Sequence, residues 1–375
     1  MIVAGEASGD LYGADLVKKA LSLDPGLHFF GIGGVRMCAA GVETLIDSAA
    51  LAVMGLVEVV KHIGSIAGAF FKLKNILEKN PPELLILIDY PGFNLRLAKV
   101  AQKAGVKVLY YISPKVWAWK AGRIKAIAAS VTHMAAIFPF EVPLYEKAGV
   151  PVTFVGHPLL DLVNVPLDRA AAAASFGLHP SGKIVGLFPG SRHNEIEKLL
   201  PTIIAAAVNL KKQFPDVQFI LPLASTLSRE DIDPLLAAAG LDVIITRERI
   251  YDVIRACDAV ISVSGTVTLE ITLIGTPMVI IYKLSPITYQ FARQLVKIPY
   301  AGLCNIIAGE LIVPELLQDD ANPDRIATEI ARYLEDQPYS VSVREKLLEV
   351  RGSLGDPGAA GRVAGLALQL MKTEA

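Results

Sequence analysis

Short apolar runs alternate with helix-like segments along most of this chain, and this alternation constrains the fold more than any other feature. Segments such as 95–104 and 196–213 place apolar residues three and four positions apart, as in an amphipathic helix. The runs between them are continuously apolar, as in strands that are buried on both faces. The pattern predicts an α/β fold with doubly wound, Rossmann-like parallel sheets. The predicted strands are 1–4, 84–88, 107–112, 134–138, 152–155, 184–188, 217–221, 243–246, 259–263 and 278–282.

The length of the chain predicts two domains. At 375 residues it exceeds one ordinary core, and two units of about 150 to 200 residues are expected. The strand–helix rhythm loosens at 160–183, where an alanine-rich helix lies between two proline-containing turns. We therefore predict an N-terminal domain at 1–165 and a C-terminal domain at 166–340, facing each other across a cleft. A helical tail at 341–375 is expected to pack back on the N-terminal domain.

The charge balance argues against nucleic acid as a partner. The 36 basic residues are matched by 37 acidic ones, which leaves a net charge of −1 and no surplus for a phosphate backbone. Cys38, Cys257 and Cys304 lie far apart and in no metal-ligand spacing, so we interpret them as small core residues. We expect no metal and no cofactor.

The mean hydropathy of +0.46 is high and raises the question of a membrane span. The best candidate, 49–71, places Glu58, Lys61 and His62 near its middle, and such charges cost roughly 2.5 to 3.5 kcal/mol each at a bilayer centre. A span is therefore not expected, and no secretion signal precedes it. Residues 56–77 combine an apolar stripe with lysines and three nearby glycines, which leaves two interpretations open: a core-facing helix, or a helix lying in a membrane interface.

The FPGSR stretch at 188–192 is the first candidate for binding phosphate. A predicted strand ends there, Gly190 and Ser191 form a turn, and a helix begins soon after Arg192. Unpaired N–H groups at a helix start attract anions, and a guanidinium fork beside them suits a diphosphate.

The SGTVTLE stretch at 264–270 is the second candidate. Ser264, Gly265 and Thr266 form a turn after a predicted strand, and Glu270 follows about one helical turn later. The turn suits a phosphate, and a carboxylate at that distance suits the two hydroxyls of a ribose. Such turns also cap many helices, and Glu270 also suits an ordinary surface position. The two stretches together describe a nucleotide diphosphate site.

The IDYPGFN stretch at 88–94 places a carboxylate at the end of a buried strand. Asp89 there suits a general base that removes a proton from an attacking sugar hydroxyl. Asn94, in the same stretch, is a further candidate for the acceptor side of the active site. The alternative for Asp89 is that it caps the helix that begins near Asn94. The only two tryptophans, Trp117 and Trp119, suit stacking on a sugar, lining an acyl groove or anchoring a loop.

The acidic GEASGD turn at 5–10 differs from both phosphate candidates. Glu6 and Asp10 would repel a phosphate at a position where open α/β sheets bind ligands. Carboxylates and a serine hydroxyl suit sugar hydroxyls or a sugar amide instead, and we interpret Asp10 as a partner of the helix dipole.

Several weaker motifs are set aside. GIGGVRM at 31–37 lacks the spacing of a dinucleotide fingerprint. Asp231 and Asp233 form a DxD pair, but they open a helical segment, where acids favour the helix dipole. His133 and His157 have no ligand-spaced partners and are interpreted as structural, with His157 as a weaker pocket candidate. No GxSxG motif or Cys-His arrangement supports a hydrolase.

Taken together, the motifs resemble the lipid-A-disaccharide synthase family of Gram-negative bacteria. They span almost the whole chain in consistent order. The matching stretches are GEASGD (5–10), LAVMGLVEV (51–59), IDYPGFN (88–94), YYISPKVWAW (110–119), FPFE (138–141), FVGHPLLD (154–161), FPGSR (188–192), SGTVTLE (264–270) and LCNIIAGELIVPELLQ (303–318).

This resemblance implies an inverting, metal-independent glycosyltransferase of the GT-B fold at the inner face of the cytoplasmic membrane. It would transfer 2,3-diacylglucosamine from UDP to the 6-hydroxyl of 2,3-diacylglucosamine 1-phosphate, which gives a β-1,6-linked disaccharide and UDP. The N-terminal domain would receive the acceptor, and the C-terminal domain would hold UDP. A few residues that usually precede the first strand are missing from the match.

The resemblance also implies residue roles. Asp89 corresponds to the proposed general base, and Arg192 and Glu270 to residues needed for the UDP-sugar. Glu6 and Ser8 lie in the signature first loop, while Asn305 matches an asparagine important for activity. Two alternatives remain open: a UDP-N-acetylglucosamine 2-epimerase-like enzyme, and a peripheral membrane module that binds a nucleotide without chemistry.

Overall fold

A computed structural model describes residues 1–51, 56–117, 122–285, 289 and 298–372, with the backbone alone at 50 and 56–63. Residues 52–55 and Trp119, which belong to two of the matched motifs, lie outside the described residues. The chain divides into two compact units. The first unit comprises Met1–Asp161 and Leu354–Ala375, and the second comprises Leu162–Ser353.

The first unit contains a parallel sheet of seven strands in the order β3-β2-β1-β4-β5-β6-β7. The central strand β4 reads LLILI and is buried along its whole length, which explains why its sequence shows no polar alternation. The strands are β1 (Ile2–Ala4), β2 (Phe30–Gly33), β3 (Glu43–Asp47), β4 (Leu84–Ile88), β5 (Lys107–Tyr111), β6 (His133–Ala136) and β7 (Val152–Phe154).

The second unit contains a parallel sheet of six strands in the order β10-β9-β8-β11-β12-β13. The order reverses direction next to β8, and ligands of open α/β sheets bind at such switch points. The strands are β8 (Ile184–Phe188), β9 (Gln218–Pro222), β10 (Ile244–Thr246), β11 (Ala259–Val263), β12 (Met278–Tyr282) and β13 (Glu315–Leu317).

Helices connect the parallel strands and cover the sheets. In the first unit they are α1 (Ala7–Leu23), α2 (Val35–Ala39), α3 (Leu56–Lys79), α4 (Pro91–Lys103), α5 (Arg123–Ala128), α6 (Val142–Lys147) and α7 (Leu159–Leu162), which ends at the unit boundary. In the second unit they are α8 (Arg169–Ser175), α9 (His193–Gln213), α10 (Asp233–Ala239), α11 (Ile250–Ala256), α12 (Thr266–Ile274), α13 (Leu303–Ala308), α14 (Pro323–Glu335) and α15 (Gln337–Ser353). The last described helix, α16 (Ala359–Lys372), belongs to the first unit.

The two-sheet α/β architecture matches the prediction, and three strands were missed. Strand β2 reads FGIG and lacks the apolar run that identifies a buried strand. Strand β3 is only partly buried, and β13 has three residues. All three strands lack the continuous apolar run on which the strand prediction depended.

The predicted tail at 341–375 divides between the units. Residues 341–353 belong to the second unit, because Val343, Leu347 and Val350 of α15 are buried there. Within that unit Arg344 also donates a 2.9 Å hydrogen bond to the carbonyl of Asp258. Only the segment from Leu354 onward joins the first unit.

Helix α3 has features of both interpretations of 56–77, the core-facing helix and the helix in a membrane interface. Leu73 and Leu77 are fully buried in the core of the first unit, as a core-facing helix requires. Phe71, in contrast, is 63% exposed. Across the described ranges we find no helix with the length and apolar character that a bilayer crossing requires.

Candidate functional site

In the first unit, the GEASGD turn lies against the turn that follows β4. Gly5 contacts the Tyr90 ring so closely that a Cβ at this position would clash with it. The Tyr90 hydroxyl donates a 3.2 Å hydrogen bond to the carbonyl of Leu51 and so fixes the ring. Glu6 is therefore held near the Asp89 carboxylate, and Ser8 is exposed in the first turn of α1.

Asp89 sits in a strained and partly buried position at the carboxyl end of β4. Both Asp89 and Tyr90 adopt left-handed backbone conformations, with φ of 44° and 46°. The pKa of Asp89 is raised from 3.8 to about 6, mainly by burial and in part by the negative charge of Glu6. The positive charge of Lys115 and a backbone hydrogen bond at Tyr90 oppose this rise. A carboxylate with this pKa is ionised near neutral pH and remains basic enough to accept a proton.

Asn94 and Tyr110 hold the strained turn in place. The amide of Asn94 donates to the carbonyls of Ile88 at 3.2 Å and Asp89 at 2.7 Å, and the Tyr110 hydroxyl donates to the Asp89 carbonyl at 2.6 Å. Asn94 is completely buried. Both side chains therefore position the candidate base through its backbone, which assigns Asn94 a supporting role in the turn.

Asp10 has a definite structural role. Its carboxylate accepts the backbone N–H groups of Gly34 at 2.7 Å, Met37 at 3.0 Å and Arg36 at 3.1 Å. These groups belong to the start of α2, so Asp10 is a partner of that helix rather than of its own. The GEASGD turn is thereby fastened to the neighbouring β2–α2 connection.

Trp117 is anchored by a buried acid that the sequence interpretation had missed. Glu141 accepts hydrogen bonds from the Ser113 hydroxyl at 2.7 Å and the Trp117 indole N–H at 3.1 Å. The Trp117 ring also meets Phe140 edge-on at 5.2 Å. Burial raises the pKa of Glu141 to about 7. Of the uses considered for this tryptophan, these contacts favour loop anchoring.

In the second unit, both predicted turns line one cavity. The cavity has a volume of about 420 Å³. Arg192 is the N-cap of α9 and is about half exposed, and α12 begins at Thr266. The predicted residues among its lining are Gly190, Ser191, Arg192, Ser264, Gly265 and Thr266. Two helix starts and the side chains of Arg192 and Arg247 thus line one space large enough for a nucleotide. Arg247 is a lining residue that the sequence motifs did not indicate.

Glu270 and Asn305 are placed differently, since neither is among the described residues that line this cavity. Burial raises the pKa of Glu270, and the Tyr251 hydroxyl lies 3.4 Å from its carboxylate. Asn305 is completely buried, and its amide oxygen accepts the N–H groups of Ile312 and Val313. Its amide nitrogen donates to Glu315 at 2.7 Å. Asn305 therefore organises the segment that leads into β13.

The motifs set aside earlier have structural partners. Asp231 accepts the Ser228 N–H at 2.8 Å, and Asp233 pairs with Arg229 at 3.0 Å. His157 is buried, which lowers its pKa to about 3, and it accepts the N–H of Leu159. Among the described residues, no cluster of three metal-ligating side chains occurs.

Comparisons with known proteins identify the family. The profile described as Lipid-A-disaccharide synthetase matches residues 1–353. The lipid-A-disaccharide synthase of Geobacter sulfurreducens is 61% identical over 371 residues, which covers 99% of this chain and 97% of that protein. The lipid-A-disaccharide synthase of Trichlorobacter lovleyi is 62% identical over 372 residues, with the same coverage.

Solved structures of low identity show the fold alone. UDP-GlcNAc 2-epimerase from Neisseria meningitidis, solved bound to UDP-GlcNAc, has a TM-score of 0.62 at 14% identity and covers 96% of this chain and 97% of its own. MurG from Acinetobacter baumannii has a TM-score of 0.61 at 14% identity and covers 98% of this chain and 99% of its own. Both support the GT-B fold, which is built from two Rossmann-like domains.

The epimerase alternative is not favoured. The chain shares only its fold with the epimerase, whereas it shares 61% and 62% of its aligned residues with the two synthases. The family match and these relatives together show that the chain belongs to the lipid-A-disaccharide synthase family, whose members are glycosyltransferases.

Proposed function

We propose that this chain transfers 2,3-diacylglucosamine from UDP to the 6-hydroxyl of 2,3-diacylglucosamine 1-phosphate, with Asp89 as the general base. The observation that supports this role most directly is the position of Asp89 on a strained turn, with a pKa raised to about 6. Family membership supports the choice of both substrates.

The transfer is a single displacement with balanced charges. The acceptor oxygen forms a bond to the anomeric carbon while the bond from that carbon to the UDP oxygen breaks, so the configuration inverts. The proton of the acceptor hydroxyl passes to the Asp89 carboxylate, and the electron pair of the broken bond leaves with UDP. A base with a pKa near the working pH assists such a transfer by about 100-fold or more.

The second unit supplies what the leaving diphosphate needs. Negative charge grows on the diphosphate as the bond breaks, and preorganised donors at that place lower the barrier. Arg192 and the N–H groups at the starts of α9 and α12 line the cavity that we assign to UDP. We assign Glu270, which lies on α12 one helical turn beyond the cavity lining, to the ribose side of the nucleotide site. We assign Glu6 and Ser8 to the acceptor sugar.

A direct assay tests the proposal. The purified chain is incubated with UDP-2,3-diacylglucosamine and the 1-phosphate acceptor, and the disaccharide is measured by mass spectrometry. We expect Asp89→Asn to lower turnover by about 100-fold or more, while Asp24→Asn, an exposed aspartate of the same unit, leaves it unchanged. Normal turnover in Asp89→Asn would assign the base to another residue. Release of UDP in the absence of the acceptor would favour an epimerase-like reaction instead.

We also propose that the chain associates peripherally with the inner face of the cytoplasmic membrane through α3. Phe71 is exposed on this helix, and Lys72 and Lys74 are its neighbours in sequence. An exposed aromatic side chain beside basic residues suits an anionic lipid surface.

Sedimentation with anionic phospholipid vesicles tests the membrane contact. Phe71→Glu is expected to reduce the bound fraction, because it places a charge where an apolar contact is needed. Leu23→Glu is a matched control, since Leu23 is similarly exposed in the same unit, at the end of α1. Equal binding of both variants and the unaltered chain would exclude this surface.

A further inference from the structure

The Glu195 carboxylate occupies the donors of the FPGSR turn. Its Oε2 accepts the backbone N–H of Ser191 at 3.0 Å and that of Arg192 at 3.3 Å. Its Oε1 accepts the Arg192 guanidinium at 2.8 Å. One carboxylate therefore binds two backbone donors and one guanidinium, which is the donor set that a phosphate group would use at a helix start.

Gly190 shows how closely this carboxylate approaches the turn. The backbone of Gly190 has a φ of 100°, and a Cβ on this residue would clash with Oε2 of Glu195. Glu195 also lines the 420 Å³ cavity together with both phosphate-binding turns. The space above the glycine is thus open enough for an anionic oxygen, and the chain's own carboxylate fills it.

We propose that Glu195 is an internal substitute for a phosphate of the nucleotide, and that it must leave the Ser191–Arg192 turn when the UDP-sugar binds there. This inference rests on the proposed function, because it takes the cavity to be the nucleotide site. Two anions cannot share the same N–H groups, and the carboxylate at 2.8 Å also engages the guanidinium. Nucleotide binding is therefore an exchange of one anion for another.

A helix cap alone does not explain these contacts. In a capping box, the side chain three residues after the N-cap accepts the N-cap N–H, and glutamine serves as well as glutamate. Here Oε2 also accepts the preceding N–H, that of Ser191, and the second oxygen, Oε1, accepts the guanidinium. The contact with the guanidinium is the one that depends on the charge of the carboxylate. The Arg192 side chain is 54% exposed and the Glu195 side chain 12% exposed. The exchange is energetically accessible, because solvent at the arginine screens the ion pair and limits its contribution to stability.

Glu195→Gln separates the charge from the cap. The variant keeps the shape and the capping acceptor but removes the negative charge next to the turn. We expect the dissociation constant for UDP to fall by about 3- to 10-fold, as expected for removal of one like charge at short range near a surface. Uridine, which has no phosphate, should bind with unchanged affinity. Glu197→Gln is the matched control, because Glu197 is exposed on the same helix and the net charge changes equally.

Calorimetry or competition binding with UDP and uridine decides the matter. Tighter binding of UDP alone in Glu195→Gln supports the inference, whereas unchanged or weaker UDP binding overturns it. Glu195→Ala, which also removes the charge, replaces Glu195→Gln if that variant does not fold, and the same phosphate-dependent gain is expected.

Arg192→Ala tests the underlying site separately. If it loses UDP affinity while Glu195→Gln gains none, the nucleotide site stands and the role of Glu195 is rejected. If Arg192→Ala binds UDP normally, the nucleotide is held elsewhere, and both the proposed site and this inference fail.

Discussion

Replacement of Asp89 by asparagine is expected to stabilise the folded chain while it removes activity. Asparagine has the same shape, and its amide oxygen accepts hydrogen bonds as the carboxylate does. It also tolerates a left-handed backbone, such as the φ of 44° at this position, better than most residues. The substitution therefore removes a charge with little disturbance of the turn.

The pKa of Asp89 sets the size of the effect. Burial and then Glu6 raise this pKa from 3.8 to about 6, so the folded chain disfavours the ionised form. Since the folded pKa lies above the unfolded one, the penalty is complete above about pH 6 and fades as the pH falls toward 4. The difference of about 2 pKa units corresponds to about 3 kcal/mol at pH 7.5 and about 1.6 kcal/mol at pH 5.

Urea unfolding of the unaltered chain, Asp89→Asn and Asp24→Asn at both pH values measures this difference. We expect Asp89→Asn to gain stability at pH 7.5 and to gain about half as much at pH 5, while Asp24→Asn gains none. A gain that does not depend on pH, or a loss at pH 7.5, would refute the reasoning. The carboxylate would then not be held in surroundings that oppose its ionisation.

Three further changes test other parts of the site. We expect kcat/KM to fall below about pH 6, where Asp89 becomes protonated, when it is measured as a function of pH. Glu6→Gln should move this fall to lower pH, because the charge of Glu6 raises the pKa of Asp89. A kcat/KM profile that is flat to pH 4.5 would contradict this. Asp10→Ala leaves the three N–H groups at the start of α2 without their acceptor and should lower the free energy of unfolding by about 1 to 3 kcal/mol, as measured with urea. Asn305→Ala removes three buried hydrogen bonds to the backbone and a partly buried one to Glu315, and should destabilise the second unit by about 2 to 4 kcal/mol in urea unfolding. A variant of full stability without activity would instead indicate substrate contact.

The sequence was sufficient for the features whose signals are local. The strands at 84–88, 184–188, 259–263 and 278–282 were predicted with the bounds that the structure has, because each is a mostly apolar run that is buried in a parallel sheet. The two turns of the cavity were also predicted, since a strand end followed by glycine and a helix start is a local pattern. Their convergence on one space follows from the strand order, with β8 next to β11.

Features that depend on packing were less accessible. The amides of Asn94 and Asn305 suggest substrate contacts in a sequence, but complete burial and backbone partners become apparent only in the fold. Glu141 meets Ser113 and Trp117 across 28 and 24 residues of chain, which no local pattern predicts. The contact of Glu195 with the turn could have been predicted, because its spacing from Arg192 is that of a capping box.

The return of the chain to the first unit after Ser353 has a consequence for synthesis. The second unit is one uninterrupted stretch, whereas the first needs α16, where Val363 and Ala364 are buried and Arg362 donates to the carbonyl of Val155. During synthesis on the ribosome, the whole second unit can therefore emerge and fold while the first unit still lacks α16. The first unit begins to emerge first, but it is the last to be complete. A fragment of residues 162–353 should therefore fold by itself. A fragment of residues 1–161 should not fold fully, because it lacks α16.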